Sequence, residues 1–210
     1  MSQRTDFTGS ALIRLLARLS GAEVPASRQS FADRLSQWFS WIDAISLSTA
    51  LNGNMAAVPS AASAGASAED GDAARVRRAL TGTIGPAVAS ADAESDFTPY
   101  RRHCQSRQQA MQVAIGPLRA RLRAALAGRS PDMARLAALD AVMEQVLGAQ
   151  EHRLLATLPA LLDRHFVRLR DAGGDDWRGV FQRDLQGVLL AELDIRWQPV
   201  EGLLEALRKN

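Results

Sequence analysis

The stretch from Thr98 to Pro131, TPYRRHCQSRQQAMQVAIGPLRARLRAALAGRSP, decides the fold. It opens on Thr98-Pro99, a capping residue followed by proline where the first helical turn needs no N–H. Tyr100, Cys104, Met111, Ile115, Leu118, Leu122 and Leu126 then recur at threes and fours, which predicts a helix with one apolar seam. Gly128 ends that helix, and Ser130-Pro131 repeats the start signal two residues later. A connection this short can only reverse the chain.

The pattern continues downstream. Leu136, Leu139, Met143, Val146, Gln150, Leu154, Leu158, Leu161, His165 and Leu169 extend a second seam as far as Gly173-Gly174. Asp175 is placed to cap a third helix that turns Trp177, Phe181, Leu185, Val188, Leu189 and Leu193 inward, then Val200, Leu203, Leu204 and Leu207. Three long helices with short reversals predict an all-α, antiparallel, coiled-coil-like three-helix bundle over residues 98–210. Beyond its first turn each of these helices carries one proline, at Pro117, Pro159 and Pro199. Pro117 and Pro199 fall at similar heights, so a shared bend is expected there, unless Pro199 starts a separate short helix. Charge is uneven: residues 98–130 hold seven arginines and no acid, and residues 175–205 hold seven acids. The first and third helices are therefore expected to pair through opposite charge.

Upstream, residues 1–52 read as a two-helix module. Thr8 or Ser10 caps a helix carrying Leu12, Leu15, Leu16 and Leu19, which Gly21 and Pro25 end. A second helix is expected over about 31–51. Ser30 and Asp33 resemble a capping box, and Phe31, Leu35, Trp38, Ile42 and Ile45 form one stripe beside Phe39 and Trp41. So much apolar surface on short helices has to dock on something. Residues 53–97 are rich in Ala, Ser and Gly and read as a linker with one short helix, which Asp72 caps and Val76, Leu80 and Ile84 line.

Composition agrees with helices. Hydrophobic residues make up 47% of the 210 but aromatic residues only 5%, and the apolar supply is mostly Leu and Ala. Net charge is +2, so no global field draws the chain to nucleic acid or membrane. Of the 25 basic residues only Lys209 is a lysine. Genome composition accounts for such a skew, and selection for bidentate phosphate or carboxylate contacts is the other reading. The single cysteine, Cys104, leaves no internal disulfide. No apolar run approaches the roughly 18–20 residues of a membrane span, and Arg14 and Arg18 interrupt the apolar start that an export signal would need. A cytoplasmic protein without membrane insertion is expected.

Candidate chemistry is sparse. His103 and Cys104 are adjacent on a helix and diverge by about 100°, so they cannot hold one ion together. His152 and His165 occupy different faces of their helix. Arginines 101, 102 and 107 would lower the pKa of Cys104, yet its place on the seam makes it a core filler. No phosphate loop, dinucleotide glycine pattern or metal-protease motif occurs. The sequence therefore predicts no enzyme, no catalytic residue, no metal and no cofactor. Candidate partner-binding residues remain. Trp38, Phe39 and Trp41 offer an apolar surface, and Arg102, Arg119 and Arg123 form the best strip for an anionic partner.

The segments TGSALIRLLARLSG, SRQSFADRLSQW with WIDAISLSTALNG, IGPLRARLRAALAG, LAALDAVMEQVLGAQEHRLLATLPALLDRHF and LLAELDIRWQPVEGLLEAL resemble an uncharacterised proteobacterial family of unknown function, about 200–250 residues long and all-helical. The resemblance covers nearly the whole chain and carries no catalytic residues with it. The expectation is a non-enzymatic cytoplasmic adaptor or assembly protein that binds an unnamed protein partner or a second copy of itself. The alternative is a nucleic-acid-associated helical protein that uses the arginine-rich helix 98–129.

Overall fold

A computed structural model describes residues 10–21, 31–38, 40–52, 66–85 and 96–209. Among these the chain forms eight helices and no strand: α1 (Ala11–Ser20), α2 (Phe31–Trp38), α3 (Trp41–Asn52), α4 (Ala66–Thr83), α5 (Thr98–Ala127), α6 (Pro131–Leu155), α7 (Leu158–Ala172) and α8 (Trp177–Lys209). The all-α expectation holds. The helices build two compact units, and α4, α5 and α8 each contribute to both.

The first unit joins α1, the end of α4, α5 as far as Met111, α7, and α8 as far as Ile195. Its core is aromatic. Tyr100 meets Phe181 edge-on at 4.9 Å, and Phe166 meets Phe181 at 5.2 Å and Trp177 at 5.2 Å. Such pairs add about 0.5–1.5 kcal/mol each beyond the area they bury. Contacts along the helices give their directions. Tyr100 faces Phe181 and Gln108 faces Glu192, so α5 and α8 run parallel here. Arg101 pairs with Asp163 while Gln108 reaches Leu155, so α7 runs against α5. This is the expected up-down-up order.

Ser10 caps α1, accepting the Ile13 N–H at 3.3 Å, and Gly21 closes it in the left-handed conformation at φ 65°. The helix docks on α7 and α8 with Leu12 and Leu19 buried. Leu15 packs over Gly187 of α8, where a Cβ would meet its methyl at 3.6 Å, an ordinary van der Waals contact.

The second unit joins α2, α3, α4 up to Ala79, α5 from Gln112, α6, and α8 from Arg196. Asp70 pairs with Arg208 at 2.6 Å and Arg77 pairs with Glu201 at 2.6 Å, which sets α4 antiparallel to the end of α8. Leu118, Leu122, Leu126, Val200, Leu203 and Leu207 fill the core.

Several sequence expectations need correction. Residues 31–51 form two helices, because Ser40 starts α3. Its hydroxyl accepts the Asp43 N–H at 3.2 Å, and the Asp43 carboxylate accepts the Ser40 N–H at 2.9 Å, a reciprocal cap. The Ser30 cap and Phe39 lie outside the described residues. Part of the expected linker is helical, since α4 begins at Ala66. Its small residues favour helix, Ala73 is buried, and Asp72 sits inside the helix, pairing with Arg75 and Arg121, instead of capping it.

The second long helix is broken. α6 stops at Leu155, one turn before Pro159, which removes the N–H that would bond Leu155 O and clashes with that carbonyl. Gln108 Nε2 donates to the freed oxygen at 3.0 Å. α8, by contrast, passes through Pro199 unbroken, as α5 passes through Pro117, so no separate short helix starts at Pro199.

Caps shift by a residue at two ends. Phe97 O accepts the first helical bond of α5, with Asp96 taking the Thr98 N–H at 3.0 Å, and Asp176 rather than Asp175 begins α8. Ser130 caps α6 as expected, accepting the Met133 N–H at 3.2 Å.

Candidate functional site

The apolar candidates lie on and beside α3. Its sequence, WIDAISLSTALN, is apolar on nearly every side, and such a helix is usually buried all round. Only Ala50 is buried. Trp41 is 81% exposed, Ile42 73%, Ile45 50% and Leu51 54%, so they cover a broad arc of the surface. Trp38, at the end of α2, is half-buried. The one charge on α3, Asp43, is occupied by the Ser40 cap, which holds its carboxyl below the usual range.

The arginine candidates are not assembled into a strip. Arg119 grips Asp140 with two parallel bonds, Nε at 2.8 Å and Nη2 at 2.6 Å. Arg123 donates to Asp140 at 3.0 Å and to Glu144 at 2.6 Å. The Arg119, Arg123 and Asp140 side chains are 12%, 17% and 16% exposed, so these three are largely withdrawn from water, while Glu144, 35% exposed, stands at the rim. Arg102 belongs to the other compact unit and is exposed. The remaining α5 arginines spread outward: Arg101 to Asp163 on α7, Arg121 to Asp72 on α4, and Arg107 to the Thr83 carbonyl. The expected charge pairing of α5 with α8 is thus replaced by pairing with α4, α6 and α7. Asp140 was legible as a partner of Arg119 in one respect: it stands 12 residues after Gly128 and Arg119 stands 9 before it, near enough to face each other across the reversal.

The nucleophile candidate is buried. Cys104 has no exposure, and burial, with the nearby Glu192 carboxylate adding to it, pushes its thiol up to about 12. Glu192 is also fully buried, and Gln108 Nε2 donates to it at 3.0 Å. Burial and then Arg107 lower the pKa of His103, while His152 is exposed on α6. No open cleft brings His103, Cys104 and a carboxylate together among the described residues. Nor does any group of three or more His, Cys, Asp or Glu there have the geometry of a metal site.

His165, on the second seam, is a buried, hydrogen-bonded histidine whose partners sequence spacing alone did not name. It is 6% exposed and its Nε2 lies 2.8 Å from Asp184 Oδ2. Its Nδ1 lies 3.1 Å from Arg168 Nη2, which can only donate, so Nδ1 accepts and the proton sits on Nε2. Arg168 Nη2 also donates to the Leu19 carbonyl at the end of α1, and Arg18 pairs with Asp184 at 3.3 Å. This polar chain ties α1 to α7 and α8.

No described helix is long and apolar enough to cross a membrane. A model of the family described as "protein of unknown function (DUF3348)" matches residues 1–209. No curated protein and no solved structure matches the chain.

Proposed function

Since the chain belongs to the DUF3348 family of proteins of unknown function, we propose from its surfaces that it is a non-enzymatic, cytoplasmic helical assembly protein that self-associates through α3. The observation that carries this reading is the exposure of Trp41, Ile42, Ile45 and Leu51 on one short helix. With about 200 Å² for a large aromatic side chain and somewhat less for the aliphatic ones, the four present on the order of 500 Å². That is at the upper end of what monomers leave exposed. Two copies meeting through this face would bury about 1,000 Å², the threshold for a specific interface.

A second copy is favoured over a lipid surface because α3 has no cation to meet anionic headgroups, and Asp43 would be repelled by them. A self-complementary pair needs only one apolar patch. The buried, protonated thiol of Cys104 supports the non-enzymatic reading. The Asp140 and Glu144 partners of Arg119 and Arg123 weigh against nucleic acid, since those arginines are already neutralised.

The test is light scattering of the full chain across about 1–100 μM, a range that brackets micromolar affinity. The expected result is a dimer that Trp41→Glu and Ile45→Asp each convert to a monomer with unchanged helicity. A wild-type monomer at every concentration, or a dimer indifferent to both substitutions, overturns the proposal.

A further inference from the structure

The docking of α1 on α7 leaves a cavity of about 140 Å³. Leu16, Leu19 and Ser20 of α1 and Leu161, Leu162, Arg164 and Arg168 of α7 line it. The lining is thus apolar apart from Ser20 and two arginines, one turn apart on α7.

Those two cations have no carboxylate partner among the described residues. Arg164 turns its Nε to the Ala160 carbonyl of its own helix at 3.4 Å. Arg168 gives one nitrogen to Leu19 O and His165 Nδ1, both neutral acceptors. The nearby acids are occupied elsewhere: Asp184 by His165 and Arg18, Asp163 by Arg101, and Asp171 by Arg170. Like charges at i and i+4 on a helix repel, and leucines on the other side offer no compensation. The Asp184–His165–Arg168 chain also holds one of the two guanidinium groups in place before any ligand arrives. A preorganised cation beside a ready-made apolar space is how proteins recognise small amphipathic anions.

The geometry points to a binding site for a small monocarboxylate with a ring-sized apolar body, seated among Leu16, Leu19, Leu161 and Leu162 and held by Arg164 and Arg168. The size follows from the cavity, since an apolar space of about 150 Å³ accommodates benzene. The carboxylate would meet the outer nitrogens of Arg164 and the remaining nitrogens of Arg168. The site lies in the α1-bearing unit and does not depend on self-association through α3.

The experiment is a titration of the full chain with sodium benzoate, read from the leucine methyl resonances in two-dimensional NMR. Benzyl alcohol serves as the neutral analogue and inorganic phosphate as the anion without an apolar body. Benzoate is expected to shift the α1 and α7 leucine methyls and to bind at least about 10-fold more tightly than benzyl alcohol, as charge-assisted bonds imply. Arg164→Gln, at an exposed position that leaves the fold intact, is expected to weaken benzoate about 10-fold and leave benzyl alcohol unchanged. Arg168→Gln tests the same point from the second cation, with α1 docking followed in the same spectra. No methyl shift with benzoate overturns the assignment. So does equal affinity for benzoate and benzyl alcohol, indifference to Arg164→Gln, or phosphate binding as tightly as benzoate.

Discussion

Removing Asp140 tests whether the arginines of α5 serve the fold or a ligand. Asp140 accepts three charge-assisted bonds, two from Arg119 and one from Arg123, and its side chain is 16% exposed. Asp140→Leu leaves both guanidinium groups, 12% and 17% exposed, with Glu144 as their one remaining carboxylate. Breaking a buried pair from one side costs about 3–5 kcal/mol, and the surviving Glu144 brings the expectation to the lower end, about 3 kcal/mol. Arg119→Met is milder, about 2 kcal/mol, because Asp140 keeps Arg123. The double substitution replaces the pair by two apolar side chains and leaves Arg123 with Glu144 at 2.6 Å. It should cost only about 2 kcal/mol in total, which gives a coupling of about 3 kcal/mol.

Urea denaturation followed by far-UV circular dichroism measures all four corners of this cycle. Unchanged m values would show that the unfolding unit is the same in each variant. Half-molar salt should leave most of the coupling intact, because pairs withdrawn from water are weakly screened. Single substitutions costing under about 0.5 kcal/mol with no coupling, the behaviour of exposed pairs, would refute the reasoning. They would also return Arg119 and Arg123 to the set of residues available to an anionic partner.

Three further outcomes are expected. Gly187→Ala should stabilise the chain by about 0.5–1 kcal/mol through helix propensity, since its Cβ meets Leu15 only at ordinary contact distance; a lower melting temperature would contradict the α1 docking. Cys104 should resist thiol reagents at pH 8 in the native chain and react on unfolding. Its folded thiol holds its proton up to about 12, so its contribution is complete below the ordinary thiol value of 9.0 and is lost as pH rises from there toward 12. Cys104→Ala should remove that alkaline loss from a stability–pH profile. Asp43 should titrate below the usual carboxylate range, because Ser40 bonds its charged form. The cap is then present at neutral pH and lost as pH falls through that depressed value, and Ser40→Ala should return the carboxyl resonance of Asp43 to ordinary behaviour.

The sequence by itself determined which segments are helices and many of their ends. Ser10, Ser130, Gly21 and Gly173 act through bonds to their own neighbours, and the seam from Tyr100 to Leu126 is a periodicity any window along the chain contains. Of the candidate residues, the sequence singled out Arg119 and Arg123 by spacing, and Trp41 by its surplus of apolar surface. Their circumstances were not local. Whether an arginine is neutralised depends on which helix comes to lie beside it, and the acids proved to be on α6 rather than α8.

The prolines make the same point. Pro159 ends a helix where Gln108 from α5 is at hand to satisfy the freed Leu155 carbonyl. Pro117 and Pro199 lie within continuous helices whose buried leucines and valine carry on past them. Likewise Ala73 became core only because α4 lies against the end of α8, to which the Asp70–Arg208 and Arg77–Glu201 pairs join it. Period and capping are properties of a few consecutive residues, whereas burial and ion pairing belong to the space between helices, which only the tertiary structure fixes.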